Sequence, residues 1–263
     1  MKKLFALFLT LAALASAACA TVVPPPGRIP GPRPPVEVKL PELTHEHTDK
    51  CAPLDTNKVR IVCILDRSGS MSHLTGDTIG GYNSFIDKQR AEAGAANVTT
   101  VLFDNKYEIL YENLPIKDVK PLTGKEYYAR GTTALLDAVG MTITSVDGDF
   151  KKAGLCPKSE LVVFMIMTDG LENASREYSR AAVKKLVSDA QEKYGWKFIF
   201  MGANIDSVAE AGSLGIRREA AMDYAADSAG VGAAYESAGA AMKMFRAREE
   251  LSDKWKKAPA PKK

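Results

Sequence analysis

The chain has 263 residues, of which 46% are hydrophobic and 25% charged, and its 35 basic and 32 acidic side chains leave a formal net charge of +3. That is enough apolar material to bury one sizeable core in one or two domains. It gives no basic excess of the kind that nucleic-acid binding requires.

Met1-Lys2-Lys3, the apolar run Leu4 to Ala15 and the small residues Ser16-Ala17-Ala18-Cys19-Ala20 read as an export signal over residues 1–20. The apolar run is too short to span a bilayer, so no transmembrane helix is expected in the mature chain. Ala18 and Ala20 fit signal cleavage, whereas lipid attachment at Cys19 would want a large aliphatic residue where Ser16 stands. A periplasmic or secreted protein is therefore expected ahead of a lipoprotein. Removing Lys2 and Lys3 leaves 33 basic against 32 acidic side chains, close to neutrality.

Residues 21–57 are rich in proline, with Pro24-Pro25-Pro26, Pro30, Pro32, Pro34 and Pro35, and read as an extended spacer. His45 and His47 near Cys51 carry metal-ligand chemistry, but a proline-rich spacer is poor scaffolding for a site.

Residues 58–251 alternate between strand and helix patterns. Val59 to Leu65 and Leu161 to Thr168 are near-continuous apolar runs, as in strands buried on both faces of a parallel sheet, and they end in Asp66 and Asp169. A helix is predicted over 77–92, with Ile79, Tyr82, Phe85 and Ile86 on one face. Val98 to Phe103 and Tyr107 to Tyr111 flank the turn Asp104-Asn105-Lys106, so the second of these strands is antiparallel. A helix follows Thr133, whose hydroxyl is a candidate N-cap. After the strand to Asp169 come a helix over 176–194, a strand over 197–201, a short helix after Asp206, a strand over 220–224 and a helix over 230–251. Residues 252–263 read as a basic, proline-broken, solvated tail. The fold class is α/β: a doubly wound, mostly parallel open sheet with one antiparallel edge strand and helices on both faces. Ligands of such sheets bind at the carboxyl ends of the strands, where strand order reverses, and Asp66 and Asp169 lie there.

Asp66, Ser68, Ser70 and Asp169 are hard oxygen donors, suited to Mg²⁺ or Mn²⁺ rather than to zinc. Asp66-x-Ser68-x-Ser70, then Gly131-Thr132-Thr133-Ala134-Leu135-Leu136-Asp137, then Thr168-Asp169-Gly170 together resemble the von Willebrand factor type A domain and its metal-ion-dependent adhesion site (MIDAS). The resemblance implies that Ser68, Ser70 and Thr133 offer hydroxyls directly to the cation. It implies that Asp66 and Asp169 hold the cation through waters and hydrogen bonds, and that a carboxylate of a partner protein takes the remaining position. Thr132 departs from the glycine common at that place.

Catalysis is not expected. An Asp-x-Asp phosphotransferase would need an acid at Ser68, a Gly-x-Ser-x-Gly elbow is absent around Ser68 and Ser70, and His73 reads as an exposed loop residue. The expected function is an exported, Mg²⁺-dependent module that binds an acidic group on a partner protein. A regulatory or assembly subunit of an ATPase- or chelatase-linked machine and a structural envelope scaffold are the alternatives. Cys51 and Cys156 precede two neighbouring strands and can meet at the lower edge of the sheet in an oxidising compartment. Sequence leaves that pairing open. Cys63, in mid-strand, reads as buried.

Overall fold

A computed structural model describes Leu43 and residues 51–257. The expected signal with Cys19, most of the spacer with His45 and His47, and residues 258–263 lie outside the described residues. In chain order come β1 (Asp55–Asp66), α1 (Thr75–Arg90), β2 (Ala95–Phe103), β3 (Tyr107–Pro115), α2 (Leu135–Ala153), β4 (Glu160–Thr168), α3 (Arg180–Asp189), β5 (Lys197–Gly202), α4 (Ser207–Ser213), β6 (Ala221–Asp223) and α5 (Ser228–Arg246). The strands form one sheet in the order β3-β2-β1-β4-β5-β6. Every pairing is parallel except that of β2 with the edge strand β3. This is the α/β architecture that the type A resemblance implies.

Strand order steps one way from β1 to β2 and the other way from β1 to β4. Right-handed crossovers then place α1 on one face and α2 with α3 on the opposite face. α1 packs on α5, and α2 packs on α3. β1 is buried along Val59–Asp66, which explains its unbroken apolar run. The exception is Arg60, only 3% exposed. Its Nε donates to Glu160 Oε1 at 2.9 Å, and its guanidinium lies 4.2 Å from the centre of the Phe150 ring.

Several boundaries differ from expectation, each for a local reason. β1 begins at Asp55, inside the expected spacer, and Leu43 is itself buried against the core. The spacer reading therefore fails at those residues. α1 begins at Thr75 after a 3₁₀ turn over Gly69–Leu74. α3 begins at Arg180, with Ser179 as its N-cap, because residues 176–178 are held by Asp137. Thr133 does not cap α2: Ala134 occupies the cap position without a side-chain hydrogen bond.

The expected solvated tail is packed down at least to Lys257. Trp255 is fully buried and donates from Nε1 to the carbonyl of Glu219 at 2.7 Å, and the Lys257 N–H donates to Ser237 Oγ at 2.8 Å. A large apolar ring with a polar tip is better satisfied there than in water. Trp255→Phe keeps an aromatic ring but removes the indole donor to the Glu219 carbonyl. It is expected to cost about 0.5–1.5 kcal/mol in urea unfolding. Unchanged stability would show that this segment is not part of the cooperative unit.

At the lower edge of the sheet Cys51 and Cys156 form a disulfide with a Cα–Cα distance of 5.6 Å. Cys63 is a free, buried thiol.

Candidate metal centre

Parallel pairing sets Leu65 level with Met167, which brings Asp66 beside Thr168 and carries Asp169 just past the sheet edge. Both oxygens of Asp66 are engaged: Ser68 N–H donates to Oδ1 at 2.7 Å, and Thr168 Oγ1 donates to Oδ2 at 2.6 Å. The short turn of the Asp-x-Ser-x-Ser segment lays Ser68 Oγ 3.1 Å from Ser70 Oγ. Ser70 Oγ in turn donates to Asp169 Oδ1 at 2.5 Å. A Cβ built on Gly170 would stand 3.9 Å from both Ser70 Oγ and Thr133 Oγ1, so these two hydroxyls converge on one point. Asp66, Ser68, Ser70, Thr133 and Asp169, from three separate loops, thus meet in one place.

The members of this group differ in burial. Asp66 is 0% and Asp169 3% exposed, and neither carboxylate faces solvent. Ser70 is the exposed member and marks the mouth. Burial pushes the Asp66 carboxyl up to about 6, against the opposing pull of hydrogen bonds from Thr168 and Ser68. Burial also raises Asp169, opposed by its bond from Ser70. Two buried acids that raise each other's cost of ionisation favour a positive charge beside them.

The residues fit a divalent ion. Asp169 Oδ2 is buried and has no hydrogen-bond partner. It is the one carboxylate oxygen in the group aimed at nothing. The other donors are hydroxyls, the hard and weakly charged set that Mg²⁺ and Mn²⁺ accept. Among the described residues no three His, Cys, Asp or Glu side chains cluster as a metal site. The donor set here holds only two such residues. His73 is exposed, and its Nδ1 lies 2.9 Å from the Ser70 carbonyl rather than in the cluster.

The partners that hold this group are not evident from the motif. Arg67, inside the first motif, is fully buried and pairs with Asp104 at 3.1 Å and with Glu108 at 2.5 Å. Arg130 adds a second guanidinium to Asp104 at 2.7 Å. These ion pairs bind the β2–β3 turn to the metal loop and to the segment leading to Thr133. Backbone bonds from Arg130 N–H to the Arg67 carbonyl at 2.8 Å and from Gly69 N–H to the Gly131 carbonyl at 3.1 Å fasten the same two segments. Tyr127 adds a phenol bond to the Asp66 carbonyl at 2.5 Å. The α2 terminus is capped from outside its own chain segment: Leu136 N–H donates to Glu172 Oε2 and Asp137 N–H to Ser175 Oγ. A charged residue placed directly after a buried strand was the available signal for Arg67. Nothing distinguished Glu172 from any loop acid.

A cavity of about 650 Å³ adjoins Thr133, with Phe103, Ala134 and Met141 among its apolar lining and Lys106 and Arg176 among its charged lining.

Because Thr133 caps nothing, Thr133→Val removes a hydroxyl from the cluster and little else. It is expected to change unfolding stability by less than about 0.5 kcal/mol and to weaken Mn²⁺ binding at least tenfold. A collapse in stability with unchanged Mn²⁺ binding would give the residue a structural role instead.

No protein-family model matches the chain, and no curated protein matches it. Solved structures similar to it include von Willebrand factor type A from Catenulispora acidiphila, at 16% identity over 70% of this chain and 42% of that one, TM-score 0.49. Proximal thread matrix protein 1 from the mussel byssus is 14% identical over 72% of this chain and 46% of its own, TM-score 0.48. This chain thus spans less than half the length of those two. The manganese-loaded TRAP protein of Plasmodium vivax is 15% identical over 64% of this chain and 68% of its own, TM-score 0.45.

Proposed function

We propose that this chain, of von Willebrand factor type A fold, is a non-catalytic, exported module that binds a carboxylate of a partner protein through a Mg²⁺ or Mn²⁺ ion. The observation that carries the reading is the buried, unpartnered Asp169 Oδ2 on a residue of the same cluster as the Ser68, Ser70 and Thr133 hydroxyls. Ser68, Ser70 and Thr133 would hold the ion directly. Asp169 would hold it from Oδ2, and Asp66, with both oxygens already accepting, would act through water. Bound there, the ion would supply an electrophilic position for an outside anion, because three neutral hydroxyls and one carboxylate oxygen leave it part of its charge.

The chain's own residues supply the rest. Asp66 and Thr168 lock the metal loop, Ser70 opens it to solvent, and the cavity beside Thr133 gives room for chain flanking the partner's acid. Ser70 pairs its hydroxyl with an acid, Asp169, but no imidazole stands in the cluster: His73, the one histidine among the described residues, places its Nδ1 at the Ser70 carbonyl. Export is supported by the Cys51–Cys156 disulfide, which suits an oxidising compartment. Among the described residues no helix is long and apolar enough to cross a membrane.

A peptide array on which each sequence occurs with one glutamate and with glutamine in its place tests the proposal. Binding is expected only to glutamate forms, only with Mg²⁺ or Mn²⁺, and to disappear with chelator. Binding that ignores either the carboxylate or the chelator would refute it.

A further inference from the structure

Thr133 is held in place by a loop distant in sequence rather than by the helix it precedes. Asn173 Oδ1 accepts the Thr133 N–H at 2.9 Å. The Asn173 N–H donates to the Thr133 carbonyl at 3.0 Å, and the Ala174 N–H reaches the same carbonyl at 3.2 Å. Both polar groups of the Thr133 backbone are therefore gripped by residues 173 and 174. This loop begins at Asp169, the residue that accepts from Ser70.

The grip is reciprocal. Glu172 accepts from Leu136 N–H, while Asp137 accepts from the N–H groups of Arg176, Glu177 and Tyr178 at 2.8–2.9 Å. Tyr178 then lies against Gly140 of α2, where a Cβ would come within 2.3 Å of the ring. Asp169 and Thr133 are thus on one cross-linked body, and the side chain that sets the height of Thr133 within it is Asn173.

We infer that Asn173 is a positioning residue for the metal centre: it touches no metal, and it fixes the Thr133 hydroxyl against Asp169 so that the third hydroxyl is in place before any cation arrives. The inference rests on the proposed metal site. Its physical basis is general, since groups that orient metal ligands commonly change affinity by 10- to 100-fold when removed. Asn is suited to the task because one residue supplies a side-chain acceptor to the N–H and a backbone donor to the carbonyl of the same residue, Thr133. Aspartate keeps that acceptor, and alanine loses it. Asn173 is exposed, so its replacement leaves the core intact.

The test is Mn²⁺ titration of the intact chain followed by electron paramagnetic resonance, in which the free aqueous ion gives a sharp signal that is lost on binding. Asn173→Ala is expected to bind Mn²⁺ at least tenfold more weakly than the native chain and to broaden the bound-ion spectrum through a less regular ligand set. Asn173→Asp should bind at least as tightly as the native chain. Ser179→Ala, which removes the N-cap of α3 further along the same segment, controls for general loosening and should stay within twofold. Native-like affinity in Asn173→Ala, or equal weakening in Ser179→Ala, would overturn the inference while leaving the metal site standing. A native chain that leaves the free Mn²⁺ signal unchanged would overturn the metal reading and this inference with it.

Discussion

Asp66→Asn is expected to abolish divalent-metal binding and, in the metal-free protein, to raise stability. Asparagine keeps an oxygen for the Ser68 N–H, and its amide nitrogen can donate to Thr168 Oγ1, so both bonds of Asp66 survive the exchange. What disappears is a buried charge close to Asp169. Relief of a site strained for function typically yields about 0.5–2 kcal/mol, which for a domain of this size is about 2–4 °C of melting temperature per kcal/mol. Asp66→Ala should also lose the metal but move stability the other way. It leaves Ser68 N–H and Thr168 Oγ1 without their acceptor, at about 1–3 kcal/mol. Calorimetry for Mn²⁺ binding together with thermal melts in chelator reads both quantities. Retained binding in Asp66→Asn would remove the metal assignment, and a lower melting temperature would show that burial of the acid is not a cost.

Reducing the Cys51–Cys156 disulfide is expected to give the largest loss of stability without touching the metal centre. The cysteines are 105 residues apart, and the chain-entropy value for a loop of about that length is about 4.7 kcal/mol, often less in practice. The bridge joins the lower ends of β1 and β4, and the metal loops leave their upper ends. Mn²⁺ affinity should therefore change by less than twofold while the urea midpoint falls sharply. Cys63, whose thiol is pushed up by complete burial, should react with alkylating agents only after unfolding. Coupled loss of stability and metal affinity would mean that β1 and β4 do not insulate the two ends.

The sheet and its switch point were legible because strands buried on both faces leave uninterrupted apolar runs, and β1 and β4 have them. The donors were legible because hydroxyls and acids crowd into short motifs at the ends of those runs. The holding residues were not. Glu172 and Asn173 lie in a loop and Asp137 in the first turn of α2, places where polar residues are ordinary, and their partners are 36–41 positions away in sequence. The Thr133 cap and the start of α3 failed for the same reason: α2 borrows its caps from another loop, and α3 yields its first expected turn to Asp137. Arg60 hid within an apolar run because Glu160 and Phe150, which pair with and cover its guanidinium, come from other elements. Trp255 looked solvated because the lysines around it dominate the composition, although the ring itself is the part that packs.

The placement of the disulfide and the metal centre at opposite ends of β1 has a mechanical consequence. A pull exerted by a partner over Ser70 and resisted at Cys51 runs along the axis of β1. That strand is paired with β2 from Lys58↔Ala95 to Asp66↔Phe103 and with β4 from Val59↔Leu161 to Leu65↔Met167. Such a force shears both ladders at once instead of unzipping one bond after another, and the Cys51–Cys156 link passes part of the tension straight into the base of β4. Stretched between those two points, single molecules should yield at much higher force than when stretched across the sheet from β3 to β6, and the difference should shrink once the disulfide is reduced.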